Sequence, residues 1–103
     1  MDQSYKMEEE LYKKAIEKWG IQLQFIMLIE ECAEVQKEVT KLLRKGVSDK
    51  ELPIKLMEEI ADVEIMLEQL EVFYKHTERG EYRKLIDTYK DIKLVRLSKW
   101  LKK

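Results

Sequence analysis

Apolar residues recur every three or four positions along most of the chain, which is the period of an amphipathic α-helix. This pattern predicts four helices, over 5–19, over 21–45, from about 48–51 to about 75, and over about 81–101. No alternation of the kind that marks a strand competes with it. The sequence therefore predicts an all-α bundle of about four helices.

Glycine, proline and polar residues predict where these helices stop. Gly20 ends or bends the first helix, and Gly46 suits the C-terminal cap of the second. Residues 48–51 have capping-box spacing, so we expect them to open the third helix, with Pro53 tolerated in its first turns. A polar stretch at 76–80 separates the third helix from the last.

The third helix carries two apolar stripes. The broad one is Leu52, Leu56, Ile60, Val63, Met66, Leu67, Leu70, Phe73 and Tyr74, and the narrow one is Ile54, Ala61, Ile65 and Val72. A helix with two apolar sides needs two neighbours, which in so small a chain favours packing against another subunit. We therefore expect a homodimer or homotetramer.

Composition narrows the class of protein. A chain of 103 residues that is 45% hydrophobic is long enough for one domain, 1–103. The net charge of -1 gives no general attraction to nucleic acid or to an anionic membrane. Cys32 is the only cysteine and lies on the main apolar stripe of the second helix, where we expect a buried thiol. A lone cysteine and the lack of an apolar signal or spanning segment predict a cytoplasmic protein.

Two helices carry pairs of carboxylates three residues apart. Glu31 and Glu34 lie on the second helix, and Glu59 and Asp62 lie on the third. Residues three apart share a helix face, and Glu59 falls within the apolar face, so packed helices would bring four acids together. An unpaired carboxylate inside a bundle costs several kcal/mol, so four inward acids require cations.

Two sources of positive charge are available. Neighbouring helix axes lie about 8 to 10 Å apart, which lets carboxylates from both reach one Mg²⁺, a hard ion that takes oxygen ligands. Lys93 and Arg96 are the second source, because they interrupt the apolar stripe of the last helix. We expect acids and bases to meet in one polar cavity.

With these residues laid out, the chain resembles the MazG-like, all-α nucleoside triphosphate pyrophosphohydrolases. The family signature is EExxE followed on the next helix by ExxD. Glu30, Glu31 and Glu34 match the first motif, and Glu59 and Asp62 match the second. The resemblance extends to Trp19, Gly20, Gln24, Lys41, Arg44, 58–63 and 93–97, and so covers roughly 19–101.

The resemblance implies hydrolysis of a (deoxy)nucleoside triphosphate to the monophosphate and pyrophosphate, in the clearance of unwanted nucleotides. It implies that Mg²⁺, with Mn²⁺ as a substitute, is held by Glu31, Glu34, Glu59 and Asp62. It implies that Glu30, Glu31 and Glu34 are the catalytic acids, with Glu30 orienting water or a neighbouring group. Lys93, Arg96, Gln24 and Trp19 are the candidate substrate contacts. The absence of His from the ExxD motif argues against a di-iron site.

Two other interpretations stay open. The chain could be a non-catalytic helical oligomerisation module, whose inward charges only fix the register of its helices. It could also be a related all-α enzyme that acts on dUTP or phosphoribosyl-ATP, because selection of the base depends on the shape of the pocket.

Overall fold

A computed structural model describes residues 3–75 and 81–103, with side chains from Met7 onward, and these residues form four α-helices and no strand. The helices are α1 (Gln3–Trp19), α2 (Ile21–Lys45), α3 (Ile54–Tyr74) and α4 (Glu81–Leu101). The predicted all-α class is confirmed for this part of the chain, while the predicted polar stretch 76–80 lies outside it. None of the four helices is long and apolar enough to cross a membrane.

The start of α3 corrects the predicted capping box. Helix α3 begins at Ile54, after Pro53, and not at 48–51. Proline lacks a backbone N–H and its ring crowds the preceding turn, so a helix begins at or after it more readily than it runs through it. The side chain of Ser48 instead accepts a hydrogen bond from the backbone N–H of Lys50, and Glu51 lies 3.7 Å from the Lys45 ammonium.

Both predicted glycine positions are where α2 begins and ends. Gly20 (φ +86°) joins α1 directly to α2, and Gly46 (φ +107°) follows the last turn of α2 and donates its N–H to the Leu42 carbonyl. Positive φ of this kind favours glycine because other residues carry a Cβ. The two glycines therefore fix the length of α2.

The centre of the fold is the pair α2 and α3, which the short connection 46–53 makes antiparallel neighbours. Helix α1 packs mainly on α3. The Tyr12 hydroxyl donates a hydrogen bond to Glu68, and the Lys75 ammonium lies 2.7 Å from a Glu9 carboxylate oxygen. Burial and the bond to Glu68 raise the pKa of Tyr12, which keeps it a neutral donor.

Helix α4 meets only the end of α3 within the described residues. The Tyr82 ring stacks on Tyr74 at 5.3 Å between centroids, and Arg83 lies 3.5 Å from Glu71. From Lys84 onward every α4 residue is exposed except Ile86, which is half-buried. Helix α4 therefore projects from the three-helix body.

The chain by itself encloses a small core. Among the described residues only two hydrophobic side chains are buried, Met66 and Leu70, while large apolar side chains are exposed on all four helices. The prediction of a buried Cys32 is wrong for this chain, because that thiol is exposed. An apolar stripe shows that a face needs cover, but it does not show that the same chain provides it.

Candidate metal centre

A line of polar residues on α2 faces α3. Gln24, Glu31 and Glu38 follow one another at intervals of seven residues, and such residues lie on nearly the same face of a helix. Gln24 is 3% exposed and Glu38 is 7% exposed, while Glu31 is half-buried. The contact between the two central helices therefore includes polar groups along three turns or more of α2.

Three carboxylates converge in the middle of this contact. Glu31 of α2 and Glu59 and Asp62 of α3 each offer one oxygen, and the three oxygens lie within 4.8 Å of one another. Glu31 and Glu59 are half-buried, and Asp62 is exposed. The prediction that acids from two helices share one place is confirmed for these three, which we call the acidic centre.

The charges that shift the pKa of Glu31 are all negative. Burial raises the pKa of Glu31 above its usual value, and Asp62, Glu59 and Glu34 raise it further, Asp62 also through a hydrogen bond. No basic group contributes to this shift. Without a cation, a proton held between Glu31 and Asp62 relieves part of the repulsion.

The donor set fits a small divalent cation. Carboxylate oxygens are the ligands of Mg²⁺, which at about 2.0 to 2.1 Å in octahedral geometry sets neighbouring ligand oxygens about 3 Å apart. The three oxygens of the acidic centre lie within 4.8 Å of one another, which is near that spacing. Asp62, being exposed, leaves the acidic centre open to solvent on one side.

Two other predicted acids, Glu34 and Glu30, lie outside the acidic centre. Glu34 is exposed and lies outside the group of three, although its charge contributes to the raised pKa of Glu31. Glu30 is exposed as well. Glu34 thus acts on the acidic centre through its charge, whereas Glu30 is a candidate only through its place in the EExxE motif.

The predicted cations lie elsewhere. Lys93 and Arg96 are exposed on the projecting part of α4, and within residues 3–75 and 81–103 neither forms an ion pair. The expectation that acids and bases meet in one cavity is therefore not met inside a single chain, because α4 leaves α3 after its first turn.

The other two predicted substrate contacts differ from each other. Gln24 is buried, and its Nε2 has no hydrogen-bond partner in the described part of the chain. Trp19 is 53% exposed, and the Lys18 ammonium lies 5.4 Å from the centroid of its ring. Trp19 also lines a cavity of about 740 Å³ between α1 and α3.

Two buried polar residues were missed by the sequence reasoning. Gln69 is 7% exposed and its Oε1 has no hydrogen-bond partner among the described residues, while the Glu38 carboxylate lies 3.2 Å from the Lys41 ammonium. The available signal was spacing: Glu38 follows Glu31 by seven residues, and Gln69 follows Asp62 by seven. A search for heptad partners of the acids would have found both.

Comparison of the chain with models of protein families, with curated proteins and with solved structures returned no match in any of the three.

Proposed function

We propose that this protein is a Mg²⁺-dependent nucleotide pyrophosphohydrolase of the MazG-like all-α type, which cleaves a (deoxy)nucleoside triphosphate to the monophosphate and pyrophosphate. The observation that carries the proposal is the convergence of Glu31, Glu59 and Asp62 between α2 and α3. These acids belong to the two motifs on which the family resemblance rests. Clearance of unwanted nucleotides in the cytoplasm is the physiological role that we propose with it.

In this proposal Glu31, Glu59 and Asp62 hold the ion, and Glu34 completes the ligand set. A bound Mg²⁺ supplies Lewis acidity, polarising the α-phosphorus and lowering the pKa of a water. The water oxygen forms a bond to the α-phosphorus as the bond from that phosphorus to its β-bridging oxygen breaks, and pyrophosphate leaves.

The chain's own residues orient and deprotonate the attacking water. Glu30 and Glu34 are exposed carboxylates on the helix that carries Glu31, and in this proposal one of them accepts the proton of the water while the other positions it. Glu31 would contribute to catalysis as a ligand of the ion, a role that its carboxyl takes on by giving up its proton. Mn²⁺ would substitute, because it accepts the same oxygen ligands.

Substrate contacts are proposed for Lys93, Arg96, Gln24 and Trp19. Lys93 and Arg96 would offset the phosphate charge, Arg96 as a planar fork and Lys93 as a point charge. Because α4 projects from its own chain, these two side chains reach a phosphate most directly in an assembly. This is one reason for proposing a homodimer or homotetramer as the working unit.

The test is release of pyrophosphate from a panel of deoxynucleoside triphosphates with Mg²⁺ present. Wild-type protein should release pyrophosphate and not orthophosphate. Glu31→Ala and Asp62→Ala should each lose activity by on the order of a hundredfold, as expected for loss of one positioned electrostatic group. Glu58→Ala is the matched control, since Glu58 neighbours Glu59 on α3 but lies on the surface 3.8 Å from Lys55.

Folded wild-type protein that never releases pyrophosphate would reject the proposal and favour the non-catalytic module. That rival also requires that Mg²⁺ neither binds nor raises the melting temperature. Inclusion of dUTP and phosphoribosyl-ATP in the panel decides between the general enzyme and its two specialised relatives.

A further inference from the structure

We infer that Gln69, together with Gln24, selects the base of the bound nucleotide. Gln69 Oε1 accepts a hydrogen bond from an N–H of the base, and Gln24 Nε2 donates one to an oxygen or a ring nitrogen of the base. The inference rests on the proposed function, since it concerns the part of the substrate beyond the phosphates. It gives Gln69 a role that neither acidic motif predicts. We call the two side chains the amide layer.

The two amides lie at one level of the α2–α3 pair. Glu31 and Asp62 meet in the acidic centre, which fixes how the two antiparallel helices align lengthwise. Gln24 precedes Glu31 by seven residues, about 10 Å of helix. Gln69 follows Asp62 by the same interval, which in an antiparallel helix leads toward the same end. Seven residues also return a side chain to nearly the same face, so the amides share one layer of the contact.

Each amide keeps one unpaired polar atom, and the two atoms are of opposite kinds. Gln24 is 3% exposed, and its Nε2 donor has no hydrogen-bond partner among the described residues. Gln69 is 7% exposed and donates from its Nε2 to the Met66 Sδ at 3.8 Å, which leaves the Oε1 acceptor without a partner in the same part of the chain. Buried groups of this kind lower the stability of the fold, because they have given up hydrogen bonds to water.

A cavity adjoins the amide layer on the side of α1. Gln69 lines the cavity of about 740 Å³ between α1 and α3, a size typical of small-molecule sites. Trp19 lines it too, and an indole face is a surface on which any base stacks. Ala61 and Ile65 of its wall lie one residue before and three residues after Asp62. The cavity therefore runs along α3 from the neighbourhood of Asp62 to Gln69.

A nucleobase has the chemistry that this layer lacks. The edge of each base carries N–H donors beside oxygen or nitrogen acceptors, and glutamine amides read such edges. The sugar holds the base away from the α-phosphorus, and the amide layer lies about 10 Å along the helices from the acids that would hold the ion. Proteins keep destabilising groups where function needs them, so unpaired amides beside a cavity favour a substrate contact over a structural one.

The first measurement separates these two roles by stability. Gln69→Leu removes the amide at similar volume. Because neither amide is satisfied by the other in the free protein, the folding equilibrium constant from urea unfolding should be unchanged or higher. If the amides instead pair directly or through a buried water, the substitution would strand Gln24 and lower that constant about tenfold or more. That loss would overturn the inference.

The second measurement is kinetic. With Mg²⁺, Gln69→Leu should raise KM for the preferred deoxynucleoside triphosphate about tenfold and change kcat little, as expected when a hydrogen bond made equally in ground and transition states is lost. The differences among dATP, dCTP, dGTP and dTTP should shrink. Inhibition by inorganic tripolyphosphate, which has no base, should be unchanged. Gln36→Leu is the matched control, since Gln36 is exposed on α2, and it should behave as wild type.

The inference and the proposed function can fail separately. Kinetics equal to wild type in Gln69→Leu, or an equal loss of kcat on every nucleotide, would overturn the inference even though pyrophosphate release upheld the function. If wild-type protein releases no pyrophosphate, calorimetric binding of the corresponding monophosphates decides. Base-selective binding that Gln69→Leu abolishes would support the amide layer, and its absence would reject it. If Gln69→Leu fails to fold by circular dichroism, Gln69→Met, which keeps an unbranched side chain, takes its place.

Discussion

Glu31 has the most unfavourable electrostatic surroundings of the acids in the acidic centre. Burial, Asp62, Glu59 and Glu34 all act in one direction, so its pKa in the folded protein lies above the unfolded value. The folded state therefore binds this proton more tightly than the unfolded state does. Stability of the metal-free protein from this group is greatest at low pH and is lost as the pH rises through the raised pKa.

Replacing the charged Glu31 side chain with a neutral one should reveal this loss of stability directly. Metal-free Glu31→Gln should melt about 2 to 4 °C above wild type at neutral pH, since it removes roughly 0.5 kcal/mol of like-charge repulsion. The difference should shrink as the pH falls and the wild-type carboxyl becomes protonated. Thermal melts by circular dichroism across a pH series measure it.

Adding Mg²⁺ should reverse the order of the melting temperatures of wild type and Glu31→Gln. The ion stabilises a folded state that binds it, so wild type should gain melting temperature with Mg²⁺ while Glu31→Gln gains less. Glu58→Gln removes a surface acid of the same helix pair and should behave as wild type in both conditions. Equal melting temperatures for all three proteins at every pH would contradict the raised pKa of Glu31.

At the scale of the helices, replacing a glycine of positive φ, Gly20 or Gly46, should reduce the stability of the fold. Gly46→Ala should destabilise the protein by about 1 to 3 kcal/mol, because φ of +107° is strained for any residue with a Cβ. A Cβ at this position would meet no atom within 4 Å, so the loss is one of backbone conformation and not of packing. Urea unfolding measures it, with Lys45→Ala as the neighbouring control. A neutral Gly46→Ala would show that the connection readjusts.

The helices themselves were predictable because their signals are local. Apolar period and glycine breaks predicted the bounds of α2 and α4 and the end of α1. The start of α3 was not predicted, because the capping-box pattern at 48–51 competed with Pro53 and proline prevailed. Both signals are local, but the capping-box spacing only favours a helix start, whereas the proline ring sterically disfavours helix before it.

The candidate site was predictable only in part. Helix periodicity predicted that Glu31, Glu59 and Asp62 would meet, since short connections make consecutive helices neighbours. It could not predict the direction of α4 in space, and within the described chain Lys93 and Arg96 lie apart from the acids. Exposure of Cys32 was missed for a related reason: periodicity identifies an apolar face, not the molecule that covers it.

For the whole molecule, the imbalance between buried and exposed apolar surface is the dominant property. Helix α3 has three apolar sides. One packs on α2, one faces α1, and the side that carries Ile60 and Leu67 is exposed. The predicted second apolar stripe on α3 thus has a neighbour, α1, within its own chain. The broad stripe, part of which packs on α2, is the one that extends to uncovered surface.

Stability should therefore depend on protein concentration. If folded chains associate and unfolded chains do not, the melting temperature should rise by about 3 to 4 °C for each tenfold increase in concentration, as expected for a two-chain unit of this length. Differential scanning calorimetry from 5 to 500 µM, about two decades, measures the slope. Leu67→Glu should flatten it, and a flat slope for wild type would argue that the single chain is the stable unit.

The heptad line of Gln24, Glu31 and Glu38 has a consequence for how α2 and α3 align lengthwise. An all-leucine seam would tolerate sliding by one heptad, because every layer would look alike. Here each layer is chemically distinct, amide, carboxylate and salt-bridged carboxylate in turn, so a slipped alignment would strand a polar group against hydrocarbon. The polar contact between α2 and α3 therefore favours a single lengthwise alignment of the two helices, which fixes where the three acids lie along them.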